Sequence, residues 1–339
     1  MSSIWPFLFS SFLIAMGVAQ VVRQNALTWG LVDNPNSRSS HRTPTPRGGG
    51  LGIVVAFEIA TLICAARGRL VPEMTWALML GGGLVATVGF MDDRRSLPAG
   101  IRFAVHLSVA IAIAVLLSLP AWPSHHISAI IFAALTVFLL AWGTNCFNFM
   151  DGIDGIAALQ AAFMAGAAAL LNQRFSGPDA ATFILASLAA ASVGFLALNW
   201  PPAKIFMGDG ASGFLGFTFS LFAVAPLASP RISIPVWLLL GGLFIGDASV
   251  TLLRRILRGE RFFQAHRLHA YQHLARHWKS HLPVTAAYGA VNIIWLLPWA
   301  YLVASAPQSA VWALPAALIP LTALLLAVGA GRQEDPMAS

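Results

Sequence analysis

Long apolar runs separated by short polar segments fill the chain, and within the runs the apolar positions are continuous rather than alternating. Continuity of this kind predicts helices, because the strands of a membrane barrel would alternate apolar and polar residues. With about 20 apolar residues needed to cross a hydrocarbon core, eleven spans are predicted. They fall at about 4–22, 50–66, 76–91, 101–119, 127–146, 155–171, 180–198, 211–228, 233–253, 284–304 and 309–329. An odd number puts the two ends on opposite sides. Composition agrees: 58% of the 339 residues are hydrophobic and only 10% charged, whereas a soluble domain is nearer one quarter charged. The expected fold is therefore an all-α, polytopic membrane protein, one domain over residues 1–339, with no internal repeat, low-complexity tract or soluble module.

Charge adds an orientation. The formal net charge of +7 would suit nucleic acid if the basic residues formed one soluble patch. Instead they are distributed among the loops between spans, which argues for no nucleic-acid partner. Arg23, Arg38, Arg42, Arg47, Arg94, Arg95, Arg102, Lys204, the seven residues from Arg254 to Lys279, and Arg332 fall on one side. They make 16 Lys and Arg against four on the other, Arg67, Arg69, Arg174 and Arg231. The positive-inside rule makes the first side cytoplasmic, with loops at about 23–49, 92–100, 147–154, 199–210 and 254–283. The N-terminus is then outside and the C-terminus cytoplasmic. The first span has no preceding Lys or Arg and is followed by Arg23, the reverse of a secretory signal, so it reads as an anchor. Cys64 and Cys146 both lie in apolar runs, which argues against a disulfide framework.

Acidic residues carry little topological weight, yet Asp33, Asp92, Asp93, Asp151, Asp154, Asp209 and Glu260 gather on the cytoplasmic side, against Glu73 and Asp179 outside. Chemistry at that face explains the bias. Glu58 and Asp247 lie inside spans, where a carboxylate costs roughly 2.5 to 3.5 kcal/mol and needs a partner or a polar cavity. Arg254 is the nearest candidate partner for Asp247 along the chain.

Five loop motifs can carry that chemistry. Gly89-Phe90-Met91-Asp92-Asp93-Arg94-Arg95 ends the third span, and adjacent carboxylates there invite a hard cation or an arginine. Asn148-Phe149-Met150-Asp151-Gly152-Ile153-Asp154-Gly155 repeats Asp-Gly in a short loop, which lets backbone approach a ligand closely; simple Asp-Gly turns are the alternative. Asn199-Trp200-Pro201-Pro202-Ala203-Lys204-Ile205-Phe206-Met207-Gly208-Asp209-Gly210-Ala211-Ser212 leads into the eighth span. It offers free N–H groups to phosphate, or merely a capped span entry. His266, His269, His273 and His277 would share one side if that loop is helical, but without Cys or HExxH they suit phosphate better than zinc. Ser40-His41-Arg42-Thr43-Pro44-Thr45-Pro46-Arg47-Gly48-Gly49-Gly50 supplies anion contacts, or a rigid loop before the second span.

The ordered set PTPRGGG, GFMDD, NFMDGIDG, NWPPAKIFMGD and HRLH, from about residue 33 to 273, resembles the polyprenyl-phosphate N-acetylhexosamine-1-phosphate transferases, of the glycosyltransferase family 4 type. Within that family it looks most like the bacterial branch that initiates O-antigen, lipopolysaccharide or related surface glycans. The resemblance implies an inner-membrane enzyme that transfers a sugar-1-phosphate from a UDP-amino sugar to undecaprenyl phosphate and releases UMP. Mg²⁺ is the implied cofactor, with Mn²⁺ as a substitute, and a homodimer is compatible with it. Asp209 matches the metal-binding position. Asn148, Asp151, Asp154, Asn199 and Phe206 match the nucleotide pocket, with Phe206 placed to stack on uracil, and Gly152, Ile153 and Lys204 are further substrate-binding candidates. Asp92 and Asp93 match the acidic pair near the lipid phosphate, Arg95 and Arg102 are the candidates for its basic partner, Arg47 is a substrate-binding candidate, and His266 and His269 match the histidine motif.

The chain also departs from the family pattern. Ala211 stands where Gly is usual, so a methyl group narrows the approach or changes the turn. HRLH is followed by Ala270 rather than further histidines, which argues against a muramyl-pentapeptide donor. Two other readings remain open. A secondary transporter would use Glu58 and Asp247 as coupling groups near the midplane. A phospholipid-head-group transferase would need an Arg shortly after the first Asp-Gly, where Ala157 and Ala158 stand.

Overall fold

The computed structural model describes residues 4–35, 43–118, 126–225, 227, 229–260 and 266–333. Of the sequence expectations, Arg38, His41, Arg42 and Arg261 lie outside the described residues. Every one of the eleven apolar runs forms helix. Eight are long and apolar enough to cross a membrane: α1 (Trp5–Trp29), α3 (Pro72–Arg95), α4 (Ala99–Ser118), α5 (His126–Met150), α6 (Ile156–Ser176), α7 (Ala180–Asn199), α12 (Leu282–Ser305) and α13 (Pro307–Val328). Two are shorter, α2 (Leu51–Ala66) and α8 (Asp209–Val224). The ninth run is a broken pair, α9 (Ile234–Leu240) and α10 (Gly242–Leu257), bent by 82° at Gly241. An amphipathic helix α11 (Ala270–Trp278) lies in the last long loop, and β1 (Val32–Asp33) pairs with β2 (Thr45–Pro46) as a two-residue antiparallel ribbon.

Three span expectations need correction. The third run begins earlier, at Pro72, and accommodates a π-helical turn at Ala77–Gly81. The eighth ends at Val224 rather than near 228. The ninth is not a straight span but turns sharply. In addition, α11 starts at Ala270, so His266 and His269 precede the helix and do not share a face with His273 and His277. His273 turns to Arg276, and His277 is exposed.

The short α8 matters most. Sixteen helical residues reach about 24 Å, less than the about 30 Å of hydrocarbon. Its start packs directly on Gly89 of α3, where a Cβ would come within 2.5 Å of the Asp209 backbone. From that level α3 runs on to Arg95, about 9 Å further at 1.5 Å per residue. The Asp209 end of α8 is therefore recessed below the end of α3, and Gly89 and Gly210 let these two helices touch backbone to backbone. Ala211 is explained by the same packing: it is 2% exposed and points at Gly50 at the head of α2, whose missing side chain leaves room for its methyl group.

Candidate active site

All five motifs meet at one end of the bundle. Consecutive spans alternate in direction, so the C-terminal ends of α3, α5, α7 and α10 and the N-terminal ends of α2, α4, α6, α8 and α12 lie together. The acidic half is built around Asp93. Its side chain is 1% exposed, and its two oxygens accept the backbone N–H groups of Asp209 (3.0 Å) and Gly210 (3.3 Å). A carboxylate from α3 thus caps α8 and satisfies the positive end of its dipole. This corrects the expectation of free amides at the glycine-rich turn: Asp93 already occupies them. Gly208, at φ +86°, is required because a Cβ there would meet Asp93 Oδ2 at 2.5 Å.

Arg47 straps the same turn from the β2 side. Its Nε donates to the Asp93 carbonyl (2.8 Å), its Nη2 to the Asp92 and Asp93 carbonyls, and Nε lies 3.6 Å from Asp93 Oδ1. Arg102, from the first turn of α4, places Nη1 at 2.7 Å from Asp92 Oδ2 and 2.8 Å from Asp209 Oδ2. One guanidinium nitrogen therefore bridges two carboxylates, and Asp92 Oδ1 also accepts the Leu97 N–H. Asp209 remains the open member of this group, with its side chain 33% exposed. Asp151 faces the same space from the α5–α6 loop; burial, then the carboxylates of Asp209, Asp93 and Asp154, push its pKa well above the usual range.

Asp154 and Asn199 are placed differently. Asp154 Oδ2 accepts the Ala203 N–H (3.0 Å) and Oδ1 lies 3.2 Å from His281 Nδ1, while Thr285 donates to its carbonyl (2.7 Å). Asn199 accepts the Gly155 N–H (3.0 Å) and donates to the Ile205 carbonyl (2.9 Å). Both residues clamp the 151–155 loop to the 199–206 loop, and their polar atoms are engaged in doing so. Ile153 is 6% exposed and belongs to the core. Asn148 donates to Ser212 (3.3 Å), Lys204 is exposed, and Phe206 is half-buried with its backbone paired to Pro46 and Gly49. His281, four residues beyond His277, is a participant that sequence reading missed; only its position at the head of the tenth span gave a signal.

The histidine half faces this from α10 and α11. His269 is 2% exposed, with Nδ1 3.4 Å from Asp247 Oδ1. His266 stacks beside it at 4.8 Å between ring centroids and is half-buried. Burial, with His269 and Arg255 nearby, lowers the His266 pKa to about 3, so at neutral pH it offers a neutral imidazole rather than a cation. Tyr271 donates to the Phe149 carbonyl (3.0 Å), and Gly152 leaves space for its hydroxyl. Asp247 is answered from α11 and α12, not by Arg254, which donates to the Ala330 carbonyl instead. Glu260, the remaining loop acid, pairs with Arg255 (2.9 Å) and Arg258 (2.6 Å), which hold its pKa down at about 2, away from the cleft.

Among the described residues, no three His, Cys, Asp or Glu side chains assemble as a metal-holding set. A Mg²⁺ ion bound with substrate phosphates requires only one or two carboxylates. Asp209 fits that need, its side chain being the most open of the three carboxylates paired with Arg47 and Arg102, and Asp151 faces it as a second candidate. An apolar cavity lined by Leu139, Phe147, Trp237, Phe244 and Ile245 lies deeper in the bundle, away from the acidic cluster.

A polytopic helical bundle with anion-handling groups recessed at one end is the frame of a membrane enzyme acting on a phosphorylated substrate. The family model described as glycosyl transferase family 4 matches residues 75–226. A probable undecaprenyl-phosphate N-acetylglucosaminyl 1-phosphate transferase of Bacillus subtilis is 30% identical over 280 residues, covering 80% of this chain and 77% of that one. A decaprenyl-phosphate N-acetylglucosaminephosphotransferase of Mycobacterium tuberculosis is 30% identical over 319 residues, covering 82% and 79%. A phospho-N-acetylmuramoyl-pentapeptide-transferase of Rickettsia massiliae is 27% identical over 303 residues, covering 78% and 81%. The chain belongs to the polyprenyl-phosphate hexosamine-1-phosphate transferases, and it is a multi-span phospho-sugar transferase. That membership replaces the transporter reading, and Asp247, fully enclosed among hydrogen-bond donors, is no coupling group.

Proposed function

We propose that the protein transfers an N-acetylhexosamine-1-phosphate, or its 6-deoxy counterpart, from a UDP-sugar to undecaprenyl phosphate, releasing UMP as the first step of lipid-linked surface-glycan synthesis. The reaction takes place at the cytoplasmic face of a bacterial inner membrane. The observation that carries this reading is the recessed acidic end, where Asp92 and Asp209 share one nitrogen of Arg102. A phosphate monoester on an apolar chain needs such a charged floor at the end of an apolar helical bundle.

An oxygen of the lipid phosphate attacks the β-phosphorus of the donor in line, and the bond from that phosphorus to the bridging oxygen breaks, so UMP leaves with the electron pair. The lipid phosphate is largely dianionic near neutral pH, with a second pKa of about 6, and needs no strong base. Asp92, already paired with Arg102 and the Leu97 N–H, therefore orients and balances charge. Arg102 is placed to pass from its carboxylates to a phosphate oxygen. Asp209, with Asp151, would hold Mg²⁺, or Mn²⁺ in its place, which supplies charge neutralisation for the pyrophosphate. Phe206 and Asn148 border the space for the nucleoside. Buried Ala270 stands where the pentapeptide-transferring branch carries a further histidine, which favours a simple amino-sugar donor.

The test is UMP release by the purified protein with undecaprenyl phosphate, Mg²⁺ and UDP-GlcNAc, UDP-GalNAc or UDP-FucNAc. Release that needs lipid and metal together supports the reading; release from the pentapeptide donor alone overturns the sugar assignment.

A further inference from the structure

Asp247 lies in the middle of α10, is 0% exposed, and faces donors from three directions. Oδ1 accepts the Ala270 N–H (2.8 Å) and the Thr251 hydroxyl (3.2 Å). Oδ2 accepts the Tyr271 N–H (3.1 Å) and the Tyr288 hydroxyl of α12 (3.1 Å). His269 Nδ1 stands 3.4 Å from Oδ1. No lysine or arginine is among these contacts. The carboxylate is stabilised by the first two amides of α11, where the helix dipole is positive, and together with the capping box of His269 and Gln272 it fixes where that helix begins. What begins there is the histidine pair on one side and, on the other, Tyr271, which grips the carbonyl of Phe149 two residues before Asp151.

We propose that Asp247 is a positioning residue for the transferase reaction: from within the membrane-spanning bundle it sets the start of α11, and thereby holds His269 and the cleft-facing His266 in place. Asp247 touches no substrate and acts through His269, whose ring separates it from His266. Two of its contacts, from Thr251 and Tyr288, stay within the bundle, and the other three go to residues 269–271 at the start of α11. The proposal rests on the transferase reading for its kinetic consequence but not for its geometry.

The test is a double-mutant cycle on kcat. Asp247→Asn should lower kcat about tenfold or more while leaving KM for the UDP-sugar within about threefold, and in a His266→Ala background the same change should cost at least about five times less. Tyr288→Phe, which removes one contact and leaves both backbone caps, should lower kcat about two- to fivefold in the wild type and not at all beside His266→Ala. Equal fold losses in both backgrounds, for either substitution, overturn the proposal in favour of a purely structural role. Amide hydrogen exchange reads the same point without catalysis: Asp247→Asn should deprotect Ala270 and Tyr271 while α6 and α7 keep their protection. Unchanged protection at those two amides overturns the proposal even if no donor supports UMP release, an outcome that would separately overturn the transferase reading.

Discussion

The acidic and histidine halves of the site are built by one device and differ in where its parts lie in the chain. In the acidic half Asp93 of α3 caps α8; in the histidine half Asp247 of α10 caps α11. Both place a carboxylate from one helix on the first amides of another, and both seal that carboxylate from water. The neighbour of each cap is the group left for chemistry: Asp209, partly open beside Asp93, and His266, half-buried beyond His269. The acidic half adds two arginines against four acids, whereas the histidine half has a neutral imidazole at its open edge. Charge handling thus belongs to the first half, and shape and hydrogen bonding to the second.

That contrast can be broken from the acidic side with the largest effect. Asp209→Asn should lower UMP release about 100-fold or more, because a charge-stabilising oxygen is lost, with thermal stability preserved; turnover close to wild type would remove Asp209 from the metal role. Arg102→Gln should follow, at about 10- to 100-fold in kcat, since it frees Asp92 and Asp209 to repel one another. Kinetics at several lipid concentrations would show whether KM for the lipid rises as well, as a phosphate contact requires. Asp154→Asn should cut activity only a few-fold and lower stability by about 1–2 kcal/mol, because the Ala203 and His281 contacts are structural; denaturant unfolding reads it. His277→Ala should change neither quantity, as that side chain is exposed. A loss equal to that of His266→Ala would extend the histidine half along α11.

The acidic half was legible because its parts are contiguous: GFMDD and MGDG announce themselves, and Gly89 and Gly210 permit the α3–α8 contact. The eleven runs were legible for the same reason, since apolar length needs no tertiary knowledge. Three things were not. The 82° bend at Gly241 falls inside an unbroken apolar run, where nothing in hydropathy marks a turn. Asp93 and Asp209 look equivalent as acidic motif residues, yet one is a cap and the other is open, a distinction made only by which amides come near. Asp247 reads as a lone intramembrane charge because its partners, two backbone amides and a tyrosine, carry no sequence signature; Arg254, the charge nearby, turned to the C-terminal segment instead. Asp154 and Asn199 teach the same lesson, as motif residues whose polar atoms are engaged in holding two loops together.

The most direct test of the central claim is UMP release with undecaprenyl phosphate and a panel of UDP-amino sugars, run with and without Mg²⁺ and repeated with Asp209→Asn. The account predicts release from at least one amino-sugar donor that requires both lipid and metal and is abolished by the substitution. Release that persists without the lipid, or that Asp209→Asn leaves intact, would contradict it.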